Sequence, residues 1–421
     1  MTEKFRLSEF GTKFKNQTGI GQLMEDLGNP EPGVSMLGGG SPALIPEVEE
    51  VWKKILSDFT GKGTWDSILG KYESPSGKEG TLESIAELLG SQFGLSVRKE
   101  QIAITNGSQS AFYLLLNFFS GEYEGGKFRK AFLPVLPEYI GYLDQPIHKN
   151  SFAYAMGKIR EIGVDTFRYE LDREALKNWD DAREPLGSVV LSRPTNPTGR
   201  VADREELEFL HEFSHSRNIP FLLDNAYGLP FPGILFGKDG LFHKEGMIQG
   251  FSLSKIGLPG VRTGFVLADP EIVSALNKAN AVLNLASGNL GQYIALEFLR
   301  SGEWARLSRD IVRPYYLKKR NFMLETVRKE WKGKLRYAIH ESEGAFFLWV
   351  RFPGLSRKIS ELYPLLKEEG VIIVPGRYFF PGQGPDSFLG EDSARISFAR
   401  EDLEIQEGIR KIGQVLSRYQ E

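Results

Sequence analysis

Short runs of apolar residues alternate with longer amphipathic stretches between about residue 100 and residue 270. Short apolar runs are typical of buried strands, and longer amphipathic stretches are typical of helices. Strands that alternate with helices favour a mainly parallel sheet covered by helices, which is an α/β fold. We predict strands at residues 101–105, 130–134, 188–192, 220–224, 247–252 and 263–268.

Four of these predicted strands end in clusters of small or polar residues. The clusters lie at 105–109, 193–199, 224–227 and 252–255. In open α/β sheets, ligands bind outside the carboxyl ends of the strands. The sequence therefore predicts one cleft that all four clusters line.

The pattern changes after about residue 303. A charged amphipathic helix is predicted at 304–331, followed by strand-like runs at 345–350, 371–374 and 395–398. This order indicates a second, smaller α+β domain. We predict three parts: an N-terminal segment (1–45) that packs with the small domain, a large domain (46–300) with a mainly parallel sheet, and a small C-terminal domain (301–421).

Composition narrows the functional classes. The 421 residues carry a net charge of −3, which provides no basic field for nucleic acid or an anionic membrane. Cysteine is absent, which excludes disulfides, thiolate metal sites and cysteine nucleophiles. We find neither a secretory signal nor an apolar run of about 18 residues, so the cytoplasm is the expected compartment.

Two short motifs point elsewhere. His211 and His215 fit the zinc-protease pattern His-Glu-x-x-His, but the apolar residues of that helix define the opposite face. We therefore interpret the histidines as a solvated helix face and predict no metal site. Residues 38–43 fit a loose dinucleotide fingerprint, but Pro42 and Pro46 oppose the helix that this fingerprint requires.

The polar clusters contain the groups that an aldehyde cofactor acting as an electron sink requires. Lys255, at the end of an apolar strand, supplies an amine for a Schiff base, and nearby cations and burial would lower its pKa. Asp224 supplies an acid to keep a ring nitrogen protonated. Tyr227 and Asn196 can donate to a phenolate oxygen. The predicted phosphate ligands are the helix start at 107–109, Ser252, Ser254 and Arg262.

Each of these signals has an ordinary structural alternative. An aspartate at a strand end is often a helix cap, and a tyrosine is often packing. Their succession at consecutive strand ends, filling every role that one cofactor needs, favours the functional interpretation.

The segments 192–199, 224–227 and 252–264 resemble the signature of fold-type I aminotransferases of the aspartate aminotransferase superfamily, which use pyridoxal 5′-phosphate. The likeness extends from Gly38 to about Phe398, and it implies a mainly parallel seven-stranded sheet in the large domain. Within the superfamily, MLGGGSPALIP, ITNGSQSAF, PEYIGY, DNAYGLPFPGI and VPGRYFFPG are similar to the valine–pyruvate aminotransferase subfamily.

The resemblance implies a role for each matching residue. Lys255 is the Schiff-base lysine, Asp224 the pyridine partner, and Tyr227 and Asn196 the phenolate donors; Lys255, Asp224 and Tyr227 form the catalytic set. The implied phosphate ligands are Ser252, Ser254, Arg262, Ser108 and Gln109, together with Tyr72 from the partner subunit of a homodimer. Tyr139 stacks on the cofactor ring, and Arg395, Gly40 and Asn196 bind the substrate carboxylate.

The resemblance also implies ping-pong transfer of amino groups between a small aliphatic amino acid, such as valine or alanine, and a 2-oxo acid such as pyruvate. We identify no second arginine for a distal carboxylate, which disfavours dicarboxylic substrates. A same-fold lyase or synthase, or an aminotransferase of other specificity, would share every cofactor residue and stays open as an alternative.

Overall fold

A computed structural model describes residues 5–15, 21, 24, 25, 28, 33–237, 240–382 and 387–420. Part of the predicted N-terminal segment 1–45 lies outside these residues. The α-helices of the described residues are α1 (Glu9–Lys13), α2 (Pro46–Gly61), α3 (Trp65–Gly70), α4 (Glu79–Phe93), α5 (Ser108–Phe119), α6 (Ile140–Leu143), α7 (Arg173–Lys177), α8 (Arg204–His215), α9 (Pro270–Asn284), α10 (Asn289–Arg300), α11 (Glu303–Arg306), α12 (Arg313–Trp331), α13 (Ile359–Glu368) and α14 (Asp402–Leu416).

The strands fall into three sheets. They are β1 (Ser35–Met36), β2 (Ile102–Thr105), β3 (Gly121–Glu122), β4 (Phe128–Leu136), β5 (Phe152–Met156), β6 (Lys158–Glu161), β7 (Thr166–Glu170), β8 (Leu186–Ser192), β9 (Phe221–Asp224), β10 (Met247–Ser252), β11 (Gly264–Leu267), β12 (Ala338–His340), β13 (Phe347–Arg351), β14 (Val371–Ile372), β15 (Val374–Pro375) and β16 (Ser393–Ser397).

The large sheet has the order β2-β11-β10-β9-β8-β4-β3, and β5 pairs with β4. Strands β10, β9, β8, β4 and β5 run parallel to their neighbours in that series, whereas β11 is antiparallel to both β10 and β2. The α/β fold class is confirmed. The sheet has eight strands in the described part of the chain instead of the predicted seven, because the two-residue β3 adds an antiparallel pair to β4.

The second sheet has the order β15-β16-β13-β12-β7-β6. It includes the hairpin of β6 and β7, which lies at 158–170, between β5 and β8 of the large sheet along the chain. Strand β1 pairs in parallel with β14, so the N-terminal segment contacts the C-terminal part. The division at residues 45 and 300 stays a proposal, and the hairpin indicates that chain order alone does not describe it.

Two of the strands that the pattern missed, β5 and β6, have an exposed face. Along β5, alternate residues are buried and exposed, and all four residues of β6 are exposed, so neither gives a continuous apolar run. The six predicted strands of the large sheet are all present, with bounds that differ by no more than two residues at either end.

The predicted helix at 304–331 is present as α11, a π-helical turn at Leu307–Val312, and α12. Pro314 lacks the N–H that a continuous α-helix would direct at the carbonyl of Asp310, and the helix widens in the turn before it. No described helix is long and apolar enough to cross a membrane.

Candidate active site

Strand pairing brings the predicted polar clusters to one edge of the large sheet. Ser192 lies opposite Asp224 across β8 and β9, and Asp224 lies opposite Gly250 across β9 and β10. Gly264 of β11 pairs with Ser252 on one side and with Thr105 on the other. The register therefore confirms the prediction that these strand ends meet at one edge of the sheet.

Lys255 lies in a short 3₁₀ turn, Ser254–Ile256, directly after β10. Its Nζ donates a hydrogen bond to the carbonyl of Gly40 at 2.7 Å and lies 5.3 Å from the ring centroid of Tyr227. Burial, together with the charges of Arg395 and Arg262, lowers the pKa of Lys255 to about 8. A substantial fraction of neutral amine near neutral pH is what attack on an aldehyde requires.

Asp224 is buried at the end of β9. Its Oδ2 accepts a hydrogen bond from the Tyr142 hydroxyl at 2.7 Å, and its Oδ1 accepts one from the amide of Ala226 at 2.9 Å. Burial raises the pKa of Asp224, while these two hydrogen bonds and the charge of Lys255 oppose that rise. A cationic ring nitrogen beside this carboxylate would offset its burial further.

The start of α5 forms a compact cradle with Arg262. Gly107 precedes the helix with φ of +86°, and a Cβ there would lie 2.5 Å from Arg262 Nη2. Arg262 Nη1 donates to Ser254 Oγ at 3.3 Å, and Ser252 Oγ accepts from the amide of Ser254 at 3.1 Å. Ser108 is the first helical residue. A helix N-terminus, two hydroxyls and a guanidinium together suit a phosphate group.

Arg395 is a buried cation on β16. Its Nη1 donates to Asn196 Oδ1 at 2.8 Å, its Nη2 donates to the carbonyl of Gly38 at 2.7 Å, and its Nε is buried with no hydrogen-bond partner in the described structure. The guanidinium lies 4.2 Å from the ring centroid of Phe347 and 5.3 Å from that of Phe379. Burial lowers the pKa of Arg395 to about 10. No carboxylate pairs with it among the described residues, so it can bind one from a ligand.

Tyr139 and Tyr227 complete the cluster. The Tyr139 hydroxyl donates to Gln109 Oε1 at 3.2 Å, and Gln109 Nε2 donates to the carbonyl of Gly141 at 3.1 Å. Tyr227 is 5% exposed and packs against Phe346 with a centroid distance of 5.1 Å. Burial raises the pKa of both tyrosines, to about 12 for Tyr139, so both hydroxyls stay protonated and can donate.

Tyr72 lies apart from this cluster. It follows α3, is 80% exposed, and forms no hydrogen bond or ring contact with the described groups of this cluster. Its predicted role in the partner subunit's site stays a prediction. The two histidines of α8 stack 5.9 Å apart, and His211 Nε2 contacts the carbonyl of Glu245 at 3.0 Å. No group of three metal-binding side chains occurs in the described residues.

Several residues of the site were not singled out from the sequence. Tyr142 and Glu138 lie in the PEYIGY segment on either side of Tyr139, and both are buried. A glutamate inside an otherwise apolar run was the available signal for Glu138. The ring of Phe379 and the carbonyl of Gly38 contact Arg395 only because distant parts of the chain meet, which local patterns do not show.

The residues present fit pyridoxal 5′-phosphate. Lys255 offers an amine of lowered pKa, Asp224 an acid at a buried strand end, and the cradle at Gly107 and Arg262 an anion site. The carbonyl of Gly40 accepts a hydrogen bond from Lys255, whereas its predicted role as a backbone donor to the substrate stays a prediction.

Comparison with known proteins places the chain in a wider context. A family model for aminotransferase class I and II matches residues 48–412. Valine–pyruvate aminotransferase of Escherichia coli K12 is 37% identical over 413 residues, covering 98% of each chain. The crystal structure of valine–pyruvate aminotransferase from Salmonella typhimurium LT2 aligns with a TM-score of 0.86 at 35% identity, covering 95% of this chain and 99% of that one. The α-aminoadipate aminotransferase of Thermus thermophilus, complexed with N-(5′-phosphopyridoxyl)-L-leucine, aligns with a TM-score of 0.77 at 26% identity, covering 98% of this chain and 97% of that one.

Proposed function

We propose, from the premise that this chain belongs to the aminotransferase class I and II family, that it exchanges amino groups between small aliphatic amino acids and 2-oxo acids such as pyruvate. The enzyme is a fold-type I aminotransferase that depends on pyridoxal 5′-phosphate. The finer assignment of substrates is our own proposal. It is supported by the relative whose name specifies valine and pyruvate, and by the surroundings of Arg395.

When bound, pyridoxal phosphate supplies an aldehyde that receives the amino group and a ring that withdraws electrons. Lys255 would hold the cofactor and, once released from it, would accept the proton of the substrate α-carbon on Nζ and later return one. Asp224 would hold the ring nitrogen as a cation. Tyr227 and Asn196 would donate to the phenolate oxygen, and Tyr139 would lie against the ring. These assignments form a ping-pong cycle in which the oxo acid leaves before the acceptor binds.

The phosphate would lie at the start of α5. The first backbone N–H groups of that helix have no partner inside it and carry the positive end of its dipole. Ser108 and Gln109 begin the helix, and Ser252, Ser254 and Arg262 surround it. This arrangement compensates a dianion without any excess of positive charge over the whole chain.

The observation that carries the substrate proposal is the state of Arg395. It is a buried guanidinium without a carboxylate partner among the described residues, held by Asn196 and Gly38 and flanked by aromatic rings. A ligand carboxylate would satisfy both its charge and its unpartnered Nε. The rings of Tyr227, Phe346 and Phe347 pack together on this side and favour an aliphatic substrate chain over a charged one.

We further propose that the protein is a homodimer with shared active sites. Tyr72 is 80% exposed, and Leu44 and Leu69 are 80% and 74% exposed, which is typical of apolar residues that a second subunit covers. The other proposed partners are its substrates, small amino acids and 2-oxo acids. We propose no nucleic-acid or membrane partner. The cytoplasm is the proposed compartment.

The test is the visible spectrum of the purified protein with pyridoxal phosphate during single turnovers. Alanine and valine should convert the bound cofactor to its aminated form, and pyruvate should reverse the change. Aspartate reacting faster than alanine and valine would refute the aliphatic preference. Release of a product other than the matching oxo acid, without stoichiometric amination of an acceptor, would instead indicate the lyase or synthase alternative.

A further inference from the structure

Glu138 is a buried carboxyl group that the proposed mechanism does not use. It is 1% exposed and lies one residue before Tyr139. Its Oε1 accepts hydrogen bonds from the Tyr139 amide at 2.8 Å and from the Ser192 hydroxyl, and its Oε2 accepts one from the Ser192 amide at 2.9 Å. No lysine, arginine or histidine within the described ranges forms an ion pair with it. Hydrogen bonds rather than an opposite charge therefore compensate its burial.

The side chain of Glu138 joins two segments that carry predicted cofactor ligands. One segment bears Tyr139. The other begins at Ser192, the last residue of β8, whose Oγ also accepts a hydrogen bond from the Asn196 amide at 3.3 Å. A continuous path therefore runs from the Tyr139 backbone through the carboxyl of Glu138 and the hydroxyl of Ser192 to Asn196.

The path continues into the second sheet. Asn196 Oδ1 accepts from Arg395 Nη1 at 2.8 Å, and the amide of Glu138 itself donates to the carbonyl of Phe379 at 3.2 Å. The group predicted to face the cofactor ring, the group predicted to donate to its phenolate oxygen, and the arginine predicted to bind the substrate carboxylate are thus linked on one side of the site. A carboxyl that accepts several hydrogen bonds at once holds its neighbours more rigidly than a single contact would.

The surroundings of Glu138 favour the protonated form of its carboxyl group. Asp224 on β9 and Tyr142 on α6 face it, and no cation of the described residues forms an ion pair with it. Burial raises the pKa of Glu138 to about 8, and the charge of Asp224 adds to the rise. Near neutral pH most Glu138 side chains are then protonated and place no negative charge beside Asp224.

We propose that Glu138 is a positioning residue of the active site, whose carboxyl group fixes the spacing between Tyr139 and the Asn196 turn through Ser192. The proposal rests on the proposed function, because it uses the roles that Tyr139 and Asn196 are given there. It assigns to Glu138 an effect on the bound cofactor that acts through Asn196, not through the charge of Glu138.

The test compares the Glu138→Gln and Glu138→Asp variants by titrating the visible absorption band of bound pyridoxal phosphate. Glutamine keeps the size of the side chain but places an NH₂ donor against a backbone N–H donor. Aspartate keeps the carboxyl group on a side chain that is one methylene shorter. Donors to the phenolate oxygen favour the deprotonated form of the cofactor, so a displaced Asn196 should raise the apparent pKa of the band in both variants, by on the order of one unit. Loss of a negative charge alone would lower it in Glu138→Gln and leave Glu138→Asp unchanged.

Glu391→Gln is the matched control, because Glu391 is 4% exposed and contacts Arg377 at 2.9 Å, outside the predicted cofactor ligands. Its band should titrate as in the unsubstituted enzyme. A double variant adds the second criterion: in an Asn196→Ala background, Glu138→Gln should shift the band by much less than it does alone. Near-ultraviolet circular dichroism verifies that each variant is folded.

The outcomes separate the two proposals. If the unsubstituted protein forms no visible band with pyridoxal phosphate, the proposed function fails before Glu138 is tested. If the band forms and both Glu138 variants titrate as the control does, or if Glu138→Gln lowers the apparent pKa, the positioning role of Glu138 is wrong and the aminotransferase assignment is unaffected. Equal shifts with and without the Asn196 side chain would likewise overturn it.

Discussion

The Tyr142 hydroxyl lies 2.7 Å from Asp224 Oδ2, in a part of the site where both side chains are buried. This hydrogen bond lowers the pKa of Asp224 against the larger effect of burial, which raises it. Tyr142 also stacks on Phe112 with a centroid distance of 5.1 Å, which fixes its ring. A tyrosine to which the sequence assigned no role therefore helps to keep the predicted pyridine partner ionised.

Tyr142→Phe should lower activity most at acidic pH. Removing the donor raises the pKa of Asp224, so protonation of Asp224 sets in at higher pH and the acid limb of the kcat/KM profile should move upward. Loss of one hydrogen bond to a charged group costs about 1.5–3 kcal/mol, so kcat/KM on the acid limb should fall by at least about tenfold. A pH–rate profile superimposable on that of the unsubstituted enzyme would contradict this role.

Lys255→Ala should abolish the visible band of the Schiff base between the enzyme and its cofactor and reduce turnover by at least about a thousandfold, because no other described residue places an amine at this position. The substitution removes the hydrogen bond to Gly40, so the fold should be checked by circular dichroism. Survival of the band would show that another amine holds the cofactor.

Asp224→Asn should leave pyridoxal phosphate bound but weaken the withdrawal of electrons by its ring. The rate of α-proton abstraction, followed with α-deuterated alanine in single turnovers, should fall by on the order of 100-fold. Abstraction at the unsubstituted rate would remove Asp224 from the role of pyridine partner.

The shared-site dimer predicts complementation between two defective chains. If Tyr72 serves the neighbour's site, a Lys255→Ala chain paired with a Tyr72→Phe chain has one site with both defects and one with neither. With random re-pairing, recovery should approach roughly a quarter of the unsubstituted activity, above what the Tyr72→Phe homodimer retains. No gain after demonstrated subunit exchange would place Tyr72 and Lys255 in sites of the same chain, or Tyr72 outside the site.

The raised pKa of Glu138 should make the stability of the folded protein depend on pH. Its pKa in the folded protein, about 8, lies above the ordinary value of 4.5, so the folded state binds the proton more tightly than the unfolded state. This contribution to stability is complete below pH 4.5 and is lost as pH rises towards 8, with a slope of up to about 1.4 kcal/mol per pH unit. Denaturant unfolding should show the unsubstituted enzyme losing stability relative to Glu138→Gln across this interval. Parallel curves would mean that Glu138 keeps an ordinary pKa.

The sequence alone determined the α/β class, the central strands and the chemical types of the site residues. Buried central strands are continuous apolar runs, and a cofactor that needs an amine, an acid and an anion site restricts residue types at strand ends to few choices. Lys255, Asp224 and Arg262 can therefore be identified as candidates from the sequence alone.

Only the tertiary structure decided which groups act on one another. The carbonyl of Gly38 contacts Arg395 across 357 positions of the chain, and Tyr142 reaches Asp224 across 82. The hairpin at 158–170 pairs with β12 although it lies between strands of the large sheet. Such contacts depend on the connections between strands and on which side chains pack together in the core. A local sequence pattern contains neither kind of information. The pKa values of Lys255, Asp224 and Glu138 follow from that burial, so the sequence supplied the ionisable groups and the fold set their protonation.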